Sequence, residues 1–103
     1  MSLSVGTGVG TYQFNGPHTN VAQLAKASGV YVITTVTRGL HKVIDVGESH
    51  DIQHRVGNHD RSQSWQKHAV DTLYASALYC DEDSRMLIEG QIRAAHNPPC
   101  GIR

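Results

Sequence analysis

The 103-residue chain lacks several features that would settle its class at a glance. No apolar run is longer than a strand, so no segment is expected to span a bilayer. Neither charge is in excess. Nine Lys and Arg balance nine Asp and Glu, which leaves no electrostatic footprint for DNA or an anionic membrane, and a nucleic-acid surface would have to be a local patch. Two cysteines, Cys80 and Cys100, form no framework of spacings and read as reduced thiols of a cytoplasmic protein. A charged start followed by an apolar core and a small-residue cleavage site is also missing, so no signal peptide is expected. Internal repeats and low-complexity runs are absent. The composition, 39% hydrophobic and 17% charged, suits one soluble domain with a modest core.

The informative stretch is Gly29 to Asp60. Two alternating, β-branched runs, Val30 to Thr37 and His41 to Val46, flank the breaker Arg38-Gly39-Leu40, which predicts a β-hairpin. Gly47 then leads into a short helix from near Ser49, whose hydroxyl is a candidate cap, with Gly57 ending it in a left-handed turn. On that helix Arg55 and His59 stand four apart. Strand, turn and helix together offer Tyr31, Asp45, Arg55 and His59 to one site. His50 and His54 also stand four apart, a spacing that suits two imidazoles on one metal, but no Glu-x-x pair completes a zincin motif and an exposed polar helix face explains both.

Residues 1–10 are small and Gly-rich and read as a disordered start or a cloning remnant, leaving residues 11–103 as a single domain. Thr11 to Phe14 reads as a short edge strand before the turn Asn15-Gly16-Pro17. Thr19 to Ala27 has helical spacing. Asp60 to His68, with the only tryptophan, Trp65, is either loop or short helix. Thr72 to Cys80 predicts a third strand, and Asp81 to Ser84 caps a last helix reaching about His96, with Leu87, Ile88, Ile92 and Ala95 as its buried stripe. Gly90 inside it suggests a close neighbour, since glycine costs about 1 kcal/mol there. The order α-β-β-α-β-α predicts an α+β fold, a small three-stranded antiparallel sheet flanked by helices.

These residues, in this order, resemble the GIY-YIG nuclease superfamily. Gly29-Val30-Tyr31 is similar to the first signature, and Asp45-Val46-Gly47 stands where the second ends its strand. Arg55 matches the family's catalytic arginine, His59 a histidine just beyond it, Glu89 the metal-binding glutamate, and Pro98-Pro99 a following Pro-Pro. The resemblance runs from Gly29 to Gly101 and departs from the pattern at three positions. Asp45 replaces the second signature tyrosine, Glu48 a frequent lysine, and Gly101 a late asparagine.

The resemblance implies a metal-dependent DNA phosphodiesterase, an endonuclease using Mg2+ or Mn2+ held by Glu89 and water. Arg55 would clamp the scissile phosphate, Tyr31 would orient or deprotonate the water, and His59 would relay a proton. Asp45 would add a second carboxylate to the metal or repel the phosphate. The three departures and the balanced charge frame the alternative, a non-catalytic module of the same kind that binds nucleic acid or protein. Such a small domain lacks room for a separate sequence-reading module, so it would work alone with low specificity, as a homo-oligomer, or beside a partner protein that supplies DNA affinity. Each residue also has a plain structural reading. Tyr31 can simply pack, and Glu89, with Arg85 and Arg93 four residues to either side, can belong to a surface ion-pair ladder.

Overall fold

The computed structural model describes residues 1–101. Its elements in chain order are β1 (Ser2–Thr7), β2 (Gly10–His18), β3 (Gly29–Thr37), β4 (Leu40–Ser49), α1 (Ile52–Gly57), α2 (Ser62–His68), β5 (Leu73–Tyr79) and α3 (Glu82–His96). The class is α+β, but the sheet has five antiparallel strands in the order β1-β2-β5-β3-β4, not the three expected. The additional strands come from the N-terminal region. Ser2–Thr7 pairs along its length with β2 instead of lying outside the fold, and its Val5, with Phe14 of β2, is buried. Among the first ten residues Val5 alone is buried, which is why their composition carries so little strand signal. Asn15-Gly16-Pro17 is no turn. β2 runs through it with a shift of register, Asn15 facing Ala77 and His18 facing Ala75, and an irregular stretch is where a strand tolerates proline.

The β3–β4 hairpin forms as its alternation requires. Its turn is the pair Arg38-Gly39, with φ of 53° and 78°, a geometry whose twist matches the flanking strands. Helix α3 has its expected ends. Asp81 accepts from the Ser84 amide at 2.8 Å, and Asn97, with φ of 46°, closes the last turn. Its buried row is Ile88, Glu89 and Ile92, whereas Leu87 is 62% exposed and Ala95 is also exposed. Among the described residues no close neighbour explains Gly90, since a Cβ there would meet nothing within 4 Å.

Other local signals give way to context. Between Thr19 and Ala27 only one 3-10 turn forms, Val21–Gln23, capped by Asn20, before Leu24 drops into the core. Helix α1 is capped by Asp51, which accepts from the His54 amide at 3.1 Å, and it ends on Asn58 with no left-handed Gly57. Residues 62–68 are helical.

Two apolar cores result, one on each face of the sheet. Val5, Phe14, Val30, Val32, Val43, Val46, Ile88 and Ile92 pack under α3. Leu24, Tyr31, Ile33, Ile44, Ile52, Trp65, Ala77 and Cys100 pack on the α1–α2 side. A bulge in β4 decides what the second face carries. Asp45 pairs with Ile33 and Val43 with the next residue, Thr34, so Ile44 is supernumerary and both Ile44 and Asp45 turn toward the α1–α2 side. Among the described residues no helix is long and apolar enough to cross a membrane.

Candidate functional site

β4 is an edge strand, and at that edge α3 and the α1–α2 segment meet around a cleft of about 530 Å³. Tyr31, Gly47 and Glu48 form its sheet side, Arg55, Asp60 and Arg61 one wall, and Glu89, Arg93 and Gly101 the other. Tyr31, Arg55 and Glu89, nominated by sequence, therefore face one space, and His59 lies directly beneath Tyr31 with its Nε2 2.6 Å from the phenol oxygen.

Tyr31 reaches the cleft because of what stands opposite it. It pairs with Gly47, and a Cβ at Gly47 would collide with the phenol oxygen, so only glycine lets the ring cross β4. Burial pushes the Tyr31 hydroxyl up to about 12, opposed in part by the nearby Arg55 guanidinium, and at neutral pH it is a phenol. His59 is buried, tilted against Trp65 at 4.5 Å between ring centres and edge-on to Tyr31 at 5.7 Å. Its Nδ1 accepts the Arg61 amide at 3.0 Å. Burial first, then the charges of Arg55 and Arg61, push the imidazole down to about 4 and keep it neutral. Arg55 is 38% exposed and pairs with Asp60 at 3.3 Å.

Asp45 does something else than either expected role. It has no exposed surface and accepts from Trp65 Nε1 at 2.7 Å, Val46 N–H at 2.8 Å, and Arg61 Nε and Nη2 at 2.9 and 3.3 Å, with Arg93 Nη2 at 3.5 Å. It is absent from the cleft wall and does not project into the cleft. A carboxylate so compensated neither reaches a cleft ligand nor repels an anion. It anchors Arg61 and Trp65 beneath the cleft.

Glu89 is 4% exposed and turned inward, its Oε2 3.1 Å from Arg93 Nε. The expected ladder is split, because Arg85 goes instead to Glu48 Oε2 at 2.5 Å and Ser28 Oγ at 2.9 Å. Arg93 is a strut, donating also to the carbonyls of Val46, Cys100 and Gly101. It ties α3 to β4 and to the tail, whose Cys100 amide bonds Ile44 O at 3.0 Å.

Among the described residues no three His, Cys, Asp or Glu side chains cluster for a metal, and His50 and His54 are exposed. A hard ion that keeps most of its waters needs only one or two carboxylates, and Glu89 in the cleft wall suits that sparse kind of site. Arg61, Trp65 and Arg93 were not nominated by sequence. The available signal was Asp45 itself, a lone carboxylate between Ile44 and Val46, since a charge in an apolar strand requires buried partners.

No family model, curated protein or solved structure matches this chain.

Proposed function

We propose that the chain is a small domain similar to the GIY-YIG nucleases, acting on DNA as a divalent-metal-dependent phosphodiesterase. The observation that supports this reading most is convergence. Tyr31, Arg55 and Glu89, spread over three elements, line one cleft, with His59 bonded under Tyr31. Such a constellation has the parts that phosphodiester hydrolysis needs: cations for the phosphate, a hydroxyl at the reacting centre and a hard oxygen ligand. Magnesium or manganese on Glu89 supplies Lewis-acid stabilisation of the reacting phosphate when bound. Arg55, half-exposed at the wall, offers its fork of donors to the phosphate oxygens, and Arg61 presents a second guanidinium from its Asp45 anchor. Tyr31 orients the reacting oxygen from the cleft floor.

Two departures from the signature are physically one. A side chain at Gly101 would run into Asp45 and Arg61, so Asp45, by recruiting Arg61, leaves room only for glycine in the tail. DNA is the partner, with a second copy or another protein adding affinity that the balanced net charge does not supply. The free thiols of Cys80 and Cys100 suit the reducing cytoplasm.

Nicking of supercoiled plasmid tests the reading. The wild type is expected to nick only with magnesium or manganese, and Glu89→Ala to lower the rate by roughly two to three orders of magnitude. Nicking that Glu89→Ala leaves unchanged rejects the site. Salt-sensitive DNA binding by a wild type that never nicks selects the non-catalytic nucleic-acid module.

A further inference from the structure

The bond between Tyr31 and His59 has a direction, and neighbouring backbone sets it. The Arg61 amide can only donate, so His59 Nδ1, 3.0 Å away, is the unprotonated nitrogen. A neutral imidazole then carries its proton on Nε2, 2.6 Å from the Tyr31 oxygen, and His59 is the donor of that bond. The Arg55 guanidinium lines the same cleft, and its charge pulls the phenol against the effect of burial. With its oxygen accepting from His59, the phenol keeps its own hydrogen free to point past Gly47 into the cleft.

We propose that Tyr31 is a hydrogen-bond donor to an oxyanion in the cleft, and that His59, locked by the Arg61 amide, is the positioning residue that gives it this polarity. This differs from a tyrosine that takes a proton from water. The identity of the oxyanion as a phosphate group rests on the phosphodiesterase reading above, whereas the polarity of the pair does not.

Groups from every neighbouring element bear on the pair. Arg55 of α1 and Arg61 after it oppose a charged imidazole, while Asp45 of β4 is occupied by Arg61 and by Trp65 of α2. Asp60 is the competitor, with Oδ1 3.3 Å from His59 Nδ1. A proton on Nδ1 would satisfy Asp60 but set the Arg61 amide against another N–H in a site only 6% exposed. An unmet buried donor is costly, whereas Asp60 is 74% exposed and already solvated. The Nε2–H form therefore prevails. Burial, which keeps His59 neutral above about 4 and Tyr31 protonated below about 12, preserves the arrangement through the physiological range.

The test is a long-range 1H–15N correlation spectrum of the uniformly labelled wild type, with His59 assigned by the signals lost in His59→Gln. The expected pattern is a single Nε2–H tautomer unchanged from pH 5.5 to 9. An Nδ1–H tautomer or an imidazolium at pH 7 overturns the proposal. Sulfate, whose charge is constant over this range, probes the donor. It is expected to bind the wild type and to bind Tyr31→Phe about tenfold more weakly, and equal binding by the two, or none by the wild type, overturns the oxyanion role. Nicking together with an Nδ1–H tautomer would leave the nuclease reading and remove this one. The Nε2–H tautomer with Tyr31-dependent sulfate binding but no nicking would do the reverse.

Discussion

The two faces of the sheet are made by the same strands and solve different problems. Under α3 the apolar cluster is aliphatic apart from Phe14, and the buried hydroxyls beside it form no network: Thr34 Oγ1 meets His41 Nδ1 at 2.8 Å, and Ser76 Oγ, opposite Val32, meets no partner among the described residues. On the α1–α2 side Tyr31 and Trp65 share the interior with Asp45 and His59, and each polar atom is held by a specific donor or acceptor. The first face gains chiefly from area and tolerates rearrangement. The second is an all-or-nothing network, since a half-satisfied buried polar group is worse than none.

Removing the centre of each face should separate them. Asp45→Ala strips partners from Arg61 and Trp65 at once and is expected to cost about 3–5 kcal/mol, with loss of sulfate binding. Ile92→Ala, from a site with no exposed surface, should cost about 2–5 kcal/mol and leave binding by the folded fraction intact. Urea unfolding beside sulfate titration reads both. A cost below about 1 kcal/mol for Asp45→Ala would mean that the network carries no weight and the contrast is false.

Two glycines sharpen the comparison. Gly47→Ala forces a methyl into the Tyr31 ring and should cost about 1–3 kcal/mol while breaking the Tyr31–His59 bond. Gly90→Ala in α3 meets open space and should stabilise by about 0.5–1 kcal/mol with no effect on the cleft. One further effect is acidic. Folding lowers His59 from its ordinary 6.5 to about 4, so between those values the unfolded chain binds the extra proton. That stability is complete above pH 6.5 and is lost as pH falls toward 4, the loss reaching about 1.4 kcal/mol at pH 5.5, and His59→Gln should flatten this part of the urea profile.

What the sequence conveyed divides along the same line. The β3–β4 hairpin and both ends of α3 were legible because alternation, a Gly-containing turn and capping residues act over a few neighbours. β1 was not, because a small, Gly-rich strand with one buried side chain owes its form to pairing with β2. Thr19 to Ala27 has helical spacing, but it is drawn out to bury Leu24 and to meet the Tyr79 hydroxyl at Ala25 N–H. At the site, motif order singled out Tyr31, Arg55, His59 and Glu89, whereas Arg61 and Trp65 meet Asp45 across 16 and 20 residues of chain, beyond any local pattern.

The bulge in β4 has a consequence for how such chains are aligned. Val43 and Asp45 pair with consecutive residues of β3, so Ile44 adds length to the chain without adding length to the ladder. Counting from the Arg38-Gly39 turn to Gly47 along the sequence gives one position more than the same path measured on β3. Any relative with an unbulged strand can be superposed on this one only with a gap at Ile44. A gapless alignment anchored on the hairpin would set Val46, an α3-face residue, at the position where Gly47 makes way for Tyr31.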